Sequence, residues 1–170
     1  MTSNIENLNY YSLFNAPLEV GLRTLVLLSY VKTNDYDIDR IVIFDYFILH
    51  ARDIDAEQNN LHPSLPHRST EIIIRRKLIL EGLEILVSKG LVDIIYNNAG
   101  IFYKSNKMTD LFVNLLKSNY FIRLKNLTHW AISKYGEIDT QQLNSLINEN
   151  VQLWGGEFEF EALVRGNYES

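Results

Sequence analysis

The chain has 170 residues, is 46% hydrophobic and 22% charged, contains no cysteine and carries a formal net charge of −5. Its length suits one domain with a sizeable core, and its composition is that of an ordinary globular protein. The absence of cysteine excludes disulfides, thiolate metal sites and thiol nucleophiles.

No apolar run approaches the ~18 residues needed to span a bilayer. The opening "MTSNIENLNYYSLF" lacks the basic and apolar regions of a signal peptide. A cytoplasmic location, without membrane partners, is therefore expected. A first helix starts at Pro17, with Glu19 in its first turn, and helical spacing of leucines carries it to about Val31. After the polar turn "KTNDYDID", Asp35 or Asp37 can cap a second helix running to about Ala51. Residues 52–67 hold two prolines and no periodicity, so they read as a loop.

Ser69 or Thr70 is placed to cap a long third helix that stops at Gly90. On a helical wheel Lys77, Glu81, Glu84 and Ser88 share one strip about 60° wide, and nearly all else is apolar. That pattern predicts a helix covered on most of its circumference. "LVDIIYNNAGIFYKSN" then supplies two β-prone runs about Asn97-Asn98-Ala99-Gly100, a hairpin signal. Three helices and a hairpin make the order of a winged helix-turn-helix. Helices over Thr109–Lys117 and Asn119–Tyr135, or one helix broken near Ser118-Asn119, follow, then a short one opened by Asp139 and Gln142 in capping-box relation. "EFEFEALV" fits either a strand or a helix. The fold class expected is mostly α (α+β): a winged-helix-like domain over 1–106, with a helical region over 107–170 packed on it.

Charges inside apolar helices are the candidate functional residues. Arg75 and Arg76 fall in the apolar arc of the third helix, with Glu71 at its margin. Asp45 and His50 interrupt "IVIFDYFILHARDI" in the second. A buried guanidinium must be paired, because desolvating a lone charge costs several kcal/mol. One reading is an internal network in which Asp45, Glu71 and His50 answer Arg68, Arg75 or Arg76; the other sets Arg68 or Arg76 against a partner's carboxylates. His62 and His67 have a spacing open to metal, but nothing completes a ligand set. No phosphate loop, nucleophile elbow or catalytic carboxylate pair occurs, so no cofactor, small-molecule substrate or enzymatic activity is expected.

Residues 137–170 carry seven acids against Arg165, a balance of −6, leaving 15 basic and 14 acidic groups before them. DNA binding wants clustered positive charge, and the third helix turns one lysine and two glutamates outward. The acidic tail reads instead as a solvated face or a partner surface, with Trp154, Phe158 and Phe160 as anchors.

The segments "FNAPLEVGLRTLVLL", "DIDRIVIFDYFILHARDI", "LHPSLPHRSTEIIIRRKLILEGLEILVSKGLVD" and "WGGEFEFEALV" together resemble the middle component of ABC-three-component systems. The likeness spans residues 13–165 and is nearest to the small C subunit of Lamassu-type bacterial anti-phage defence. It implies a non-catalytic, winged-helix-like adaptor between an SMC-like ABC ATPase and an effector, often a nuclease, with DNA met only through the assembled complex. The alternative is a homodimeric winged-helix transcription regulator using residues 107–165 as a dimerisation arm.

Overall fold

The computed structural model describes residues 16–31, 35–62 and 68–153; of residues 68–73 and 148–153 the helical backbone alone is described. The elements are α1 (Pro17–Tyr30), α2 (Ile38–Leu49), α3 (Ala51–Ile54), α4 (Arg68–Ser88), β1 (Val92–Asn97), β2 (Gly100–Ser105), α5 (Lys107–Leu115), α6 (Asn119–Tyr135) and α7 (Thr140–Leu153). The fold is mostly helical with a two-stranded antiparallel hairpin between helices, a winged-helix-like layout followed by C-terminal helices.

Helix α2 is the centre. Asp37 caps it by accepting from the Arg40 amide at 2.8 Å, and Ile41 through His50 are all buried. Helices α1, α4, α6 and α7 and strand β2 surround it. The single long second helix expected to reach Ala51 is instead broken: His50 leaves helical geometry (φ −116°, ψ 39°) and α3 continues as one short turn. Tyr36, just before α2, adds one antiparallel bridge to Tyr103 of β2 and so ties the hairpin to the helices.

The hairpin pairs Val92 with Ser105 through Asn97 with Gly100. Gly100 has φ +139°, a region that favours glycine. Its base is fixed by Asn106, whose side chain caps α5 in a capping box with Thr109 and donates to Gly90 O and Asp93 Oδ1. Asn106 therefore starts α5 at Lys107, two residues before the expected Thr109. At the far end Arg40 donates to the Gly136 and Ile138 carbonyls at 2.6 and 2.8 Å, pinning the α6–α7 turn onto α2. Asp139 accepts from the Gln142 amide at the start of α7. "EFEFEALV" lies outside the described residues.

Helix α4 is less covered than its apolar wheel suggests. Arg75, Ile79, Gly82, Leu83 and Leu86 form its buried sector, while Leu78, Leu80, Ile85 and Val87 are half-buried and Ile74 is exposed. The reason is that α1, α2 and β1 cover one side of it. Lys77 and Glu84 point outward, as their strip predicts.

Helices α1 and α4 meet backbone to backbone. A Cβ built on Gly82 would lie 2.7 Å from Pro17 O and 2.8 Å from Gly21 Cα, closer than real Cβ contacts come; one built on Gly21 would lie 3.2 Å from Gly82 Cα. The obstructing atoms are main chain, so the helices themselves would have to part. Overpacking of this kind costs about 1–3 kcal/mol, more than the helix-propensity gain of roughly 1 kcal/mol for replacing glycine by alanine. Gly82→Ala should therefore lower the melting temperature by several degrees, and Gly21→Ala by less. Thermal unfolding of both variants followed by circular dichroism checks the order.

Candidate functional site: a buried arginine–aspartate network

Asp45 sits at the middle of α2, 3% exposed. Nothing in a helix buried on every side can hydrate a carboxylate, so its partners must come from neighbouring helices. Arg23 of α1 places Nε 3.2 Å from Oδ1, and Arg75 of α4 places Nη1 3.0 Å from Oδ2. Both guanidiniums are buried as well. One carboxylate thus joins three helices, each oxygen taken by a different arginine.

The electrostatics follow from this geometry. Burial pushes the Asp45 carboxyl up, but Arg23 and Arg75 outweigh it and hold the group below the usual carboxylate range. For Arg23, burial opposes the charge while Asp45 and then Tyr120 favour it, and the outcome is a guanidinium held more firmly in its charged form. Tyr120 of α6 extends the network. Burial raises its hydroxyl's pKa and Arg23 offsets part of that rise. The Tyr120 hydroxyl is 3.1 Å from His62 Nε2. Burial, then the nearby Arg23 and Arg75 charges, lower the His62 pKa to about 4, so the ring is neutral at physiological pH.

The network continues outward as a staple. The stretch after α3 runs along α6, with Lys134 Nζ 2.8 Å from Asp55 Oδ2, Arg123 donating to the Asn60 carbonyl at 3.1 Å, and His62 meeting Tyr120. Arg76, a quarter exposed, pairs with Asp39 at the start of α2. His50 is buried with its ring centroid 4.9 Å from that of Tyr46.

Of the sequence-selected residues, Asp45 and Arg75 are brought together and His62 lies within their electrostatic reach. Arg76 takes Asp39 instead, and His50 stacks within its own helix. Arg68 and Glu71 begin α4, but their side chains lie outside the described residues. Trp154, Phe158 and Phe160 lie outside them as well. Sequence reasoning missed Arg23, Tyr120 and Asp39. A signal existed for the first, since Arg23 is the one charged residue of "VGLRTLVLLSY".

The arrangement suits bracing better than chemistry. His62 at a pKa of about 4 is too acidic to serve as a base near neutrality, and Asp45 is shielded on both oxygens. Among the described residues no group of three or more His, Asp or Glu could hold a metal ion, and no helix is long and apolar enough to cross a membrane.

Removing one partner of a buried ion pair costs about 3–5 kcal/mol, because the other charge is left unanswered. Asp45→Ala strands two guanidiniums against each other and should cost more than Arg23→Ala or Arg75→Ala, in which Asp45 keeps one partner. Urea unfolding at pH 7 measures that order. The pH dependence has a fixed sign. His62 titrates lower when folded (about 4) than when unfolded (about 6.5), so between these values the unfolded chain binds more protons and stability falls as pH drops. Asp45, depressed when folded, loses its contribution over the lower range beneath the ordinary carboxylate pKa. His62→Gln should flatten the pH 4–6.5 limb, where one such group contributes a slope of up to about 1.4 kcal/mol per pH unit.

Comparison with protein-family models matches residues 13–157 to ABC-three component (ABC-3C) system Middle Component 2. No curated protein and no solved structure gives a match. The matched span contains every described element, from α1 to α7, including the Asp45 network. The chain belongs to the ABC-3C Middle Component 2 family.

Proposed function

We propose that this chain is a non-catalytic adaptor of a Lamassu-type anti-phage system, bridging an SMC-like ABC ATPase and a nuclease effector. The observation that carries the reading is where the ionisable groups go. Arg23, Asp45 and Arg75 are turned toward one another in the helical core, and His62, partly buried, meets Tyr120 beside them. ATP hydrolysis and cleavage then fall to the partners, and this chain contributes a rigid frame. The winged-helix-like part and the helices after residue 106 would act as one compact unit, since α6 packs against both α1 and α2.

DNA would be met only through the assembled complex. The outward strip of α4 carries Lys77 with Glu81 and Glu84, and the hairpin tip Asn97-Asn98-Ala99-Gly100 holds no basic residue. Phosphate contacts need the opposite balance. The hairpin itself is what favours the second reading, a homodimeric transcription regulator. Trp154, Phe158 and Phe160, set among glutamates, are proposed as partner anchors, as is Arg68 at the start of α4.

Co-expression with the neighbouring genes, followed by affinity purification on this chain, should recover an ABC ATPase and a second component. Recovery of the chain alone would overturn the adaptor reading. Gel shifts of the isolated chain at ~100 mM salt should give no discrete complex; sequence-specific binding tighter than micromolar would favour the regulator. Replacing Trp154, Phe158 and Phe160 by alanine should leave the melting temperature unchanged and release one partner.

A further inference from the structure

Helix α5 carries an apolar face that no described residue covers. Met108, Leu111 and Leu115 recur at intervals of three and four, so they share one sector of the helix. They are 54, 62 and 75% exposed, while Thr109 and Val113 on the opposite side are buried. The end of this helix is tied to α6. Lys125 reaches back from α6 to donate to the Val113 and Leu116 carbonyls at 2.8 Å each. Ile122, one turn before Lys125 on that side of α6, is 49% exposed. Single exposed apolar residues are ordinary; three on one sector of a helix, with a fourth on the next helix, mark an interaction site.

Along the chain, the charge of this stretch is one-sided, although Asp93 of β1 meets Asn106 at the start of α5. From Lys104 to Lys134 the chain has six basic residues and one acidic residue, Asp110. Lys104 and Lys134 are answered by Asp35 and Asp55. Lys107 lies one turn before Leu111, and Lys117 two residues after Leu115. Lys125 is driven below the usual lysine pKa by burial and by the Lys117 charge, which places two cations close together at the elbow. No carboxylate among the described residues pairs with Lys107, Lys117 or Lys125.

We infer that the α5–α6 elbow is a docking face for an acidic segment of another component of the ABC-3C system, one presenting large apolar side chains between its carboxylates. An apolar centre with a charged rim is the anatomy of a protein–protein interface. Nucleic acid fits it poorly, because phosphates would meet leucines at the centre. The inference rests on the adaptor reading and adds to it which face is used and what chemistry the partner must bring.

The test uses the full chain, tagged and co-expressed with the other two components, beside Leu111→Glu/Leu115→Glu, Leu115→Ser and Lys117→Glu. Wild type should retain both components. The glutamate pair should lower retention of one of them at least tenfold, and Lys117→Glu should weaken it and reduce its sensitivity to salt. Melting temperatures should match wild type. If the glutamate pair melted early, Leu115→Ser, which alters the most exposed position alone, gives the decision: retention equal to wild type overturns the inference. A change in self-association with unchanged retention would make a second copy the occupant, and a loss confined to DNA binding would make the face a nucleic-acid site. Either result overturns the proposal. Should wild type itself retain neither component, the adaptor reading fails, and that is distinct from variants that bind as well as wild type.

Discussion

A carboxylate at the centre of a helix that is buried on every side constrains the whole molecule. Asp45 cannot be hydrated where it sits, and an unpaired charge there would cost several kcal/mol. The helices around α2 must therefore arrive in the one register that brings a guanidinium to each oxygen. A slip of α1 or α4 by a single turn, about 5.4 Å, would carry Arg23 or Arg75 out of reach. Apolar packing among Leu25, Val26, Ile43, Phe44, Phe47, Ile79 and Leu83 supplies the driving force. Leucine and isoleucine surfaces tolerate several registers, however, and the ion network selects among them.

The close approach of Gly21 and Gly82 serves the same end. Gly21 lies two residues before Arg23, and Gly82 lies seven after Arg75, close to two helical turns along the buried side of α4. With no Cβ between them the two backbones come near enough for two arginines from different helices to share one carboxylate. A bulkier crossing would splay α1 from α4 and pull at least one guanidinium away from Asp45. Backbone contact and ion pairing are thus one device seen at two points along the same helix pair.

Much of this was legible in sequence because it is local. Periodicity placed α1, α4 and α6, Asp35 and Asp37 announced a cap for α2 that Asp37 supplies, and Asn97–Gly100 announced the turn of the hairpin. The oddity of Asp45 within "IVIFDYFIL" and of Arg75 within "EIIIRRKLIL" was visible for the same reason: a charge in an apolar run demands a partner. Arg23 carries the identical signal, and the rule applied to two helices holds for the third. Tyr120 and Arg40 gave no such warning, and His62 stood out as a loop histidine with no sign of its partner. Each occupies a position that reads as ordinary surface or loop, and only tertiary packing brings His62 to Tyr120 and Arg40 to the carbonyls of Gly136 and Ile138. The break at His50 was equally silent, since no proline or glycine marks it. The half-covered state of α4 was hidden because a wheel records which residues are apolar, not how many neighbours arrive to cover them.

That last difference bears on how a winged-helix-like layout can serve an end other than reading DNA. In a DNA reader the third helix turns its basic residues outward, toward phosphates and base edges. Here Arg75 is directed to Asp45 in the core and Arg76 to Asp39 at the start of α2, so these two guanidiniums hold α2 in place. Among its described residues, the outer side of α4 is a short polar strip with the exposed Ile74 and half-buried aliphatic side chains beside it, a surface closer in character to a protein interface than to a groove-binding one. A local excess of positive charge lies instead in the stretch around α5 and α6, where it borders leucine. Polar groups turned inward for register, with apolar groups left outward beside lysines, form a consistent division of labour for a subunit whose proposed role is to hold two others in fixed relation.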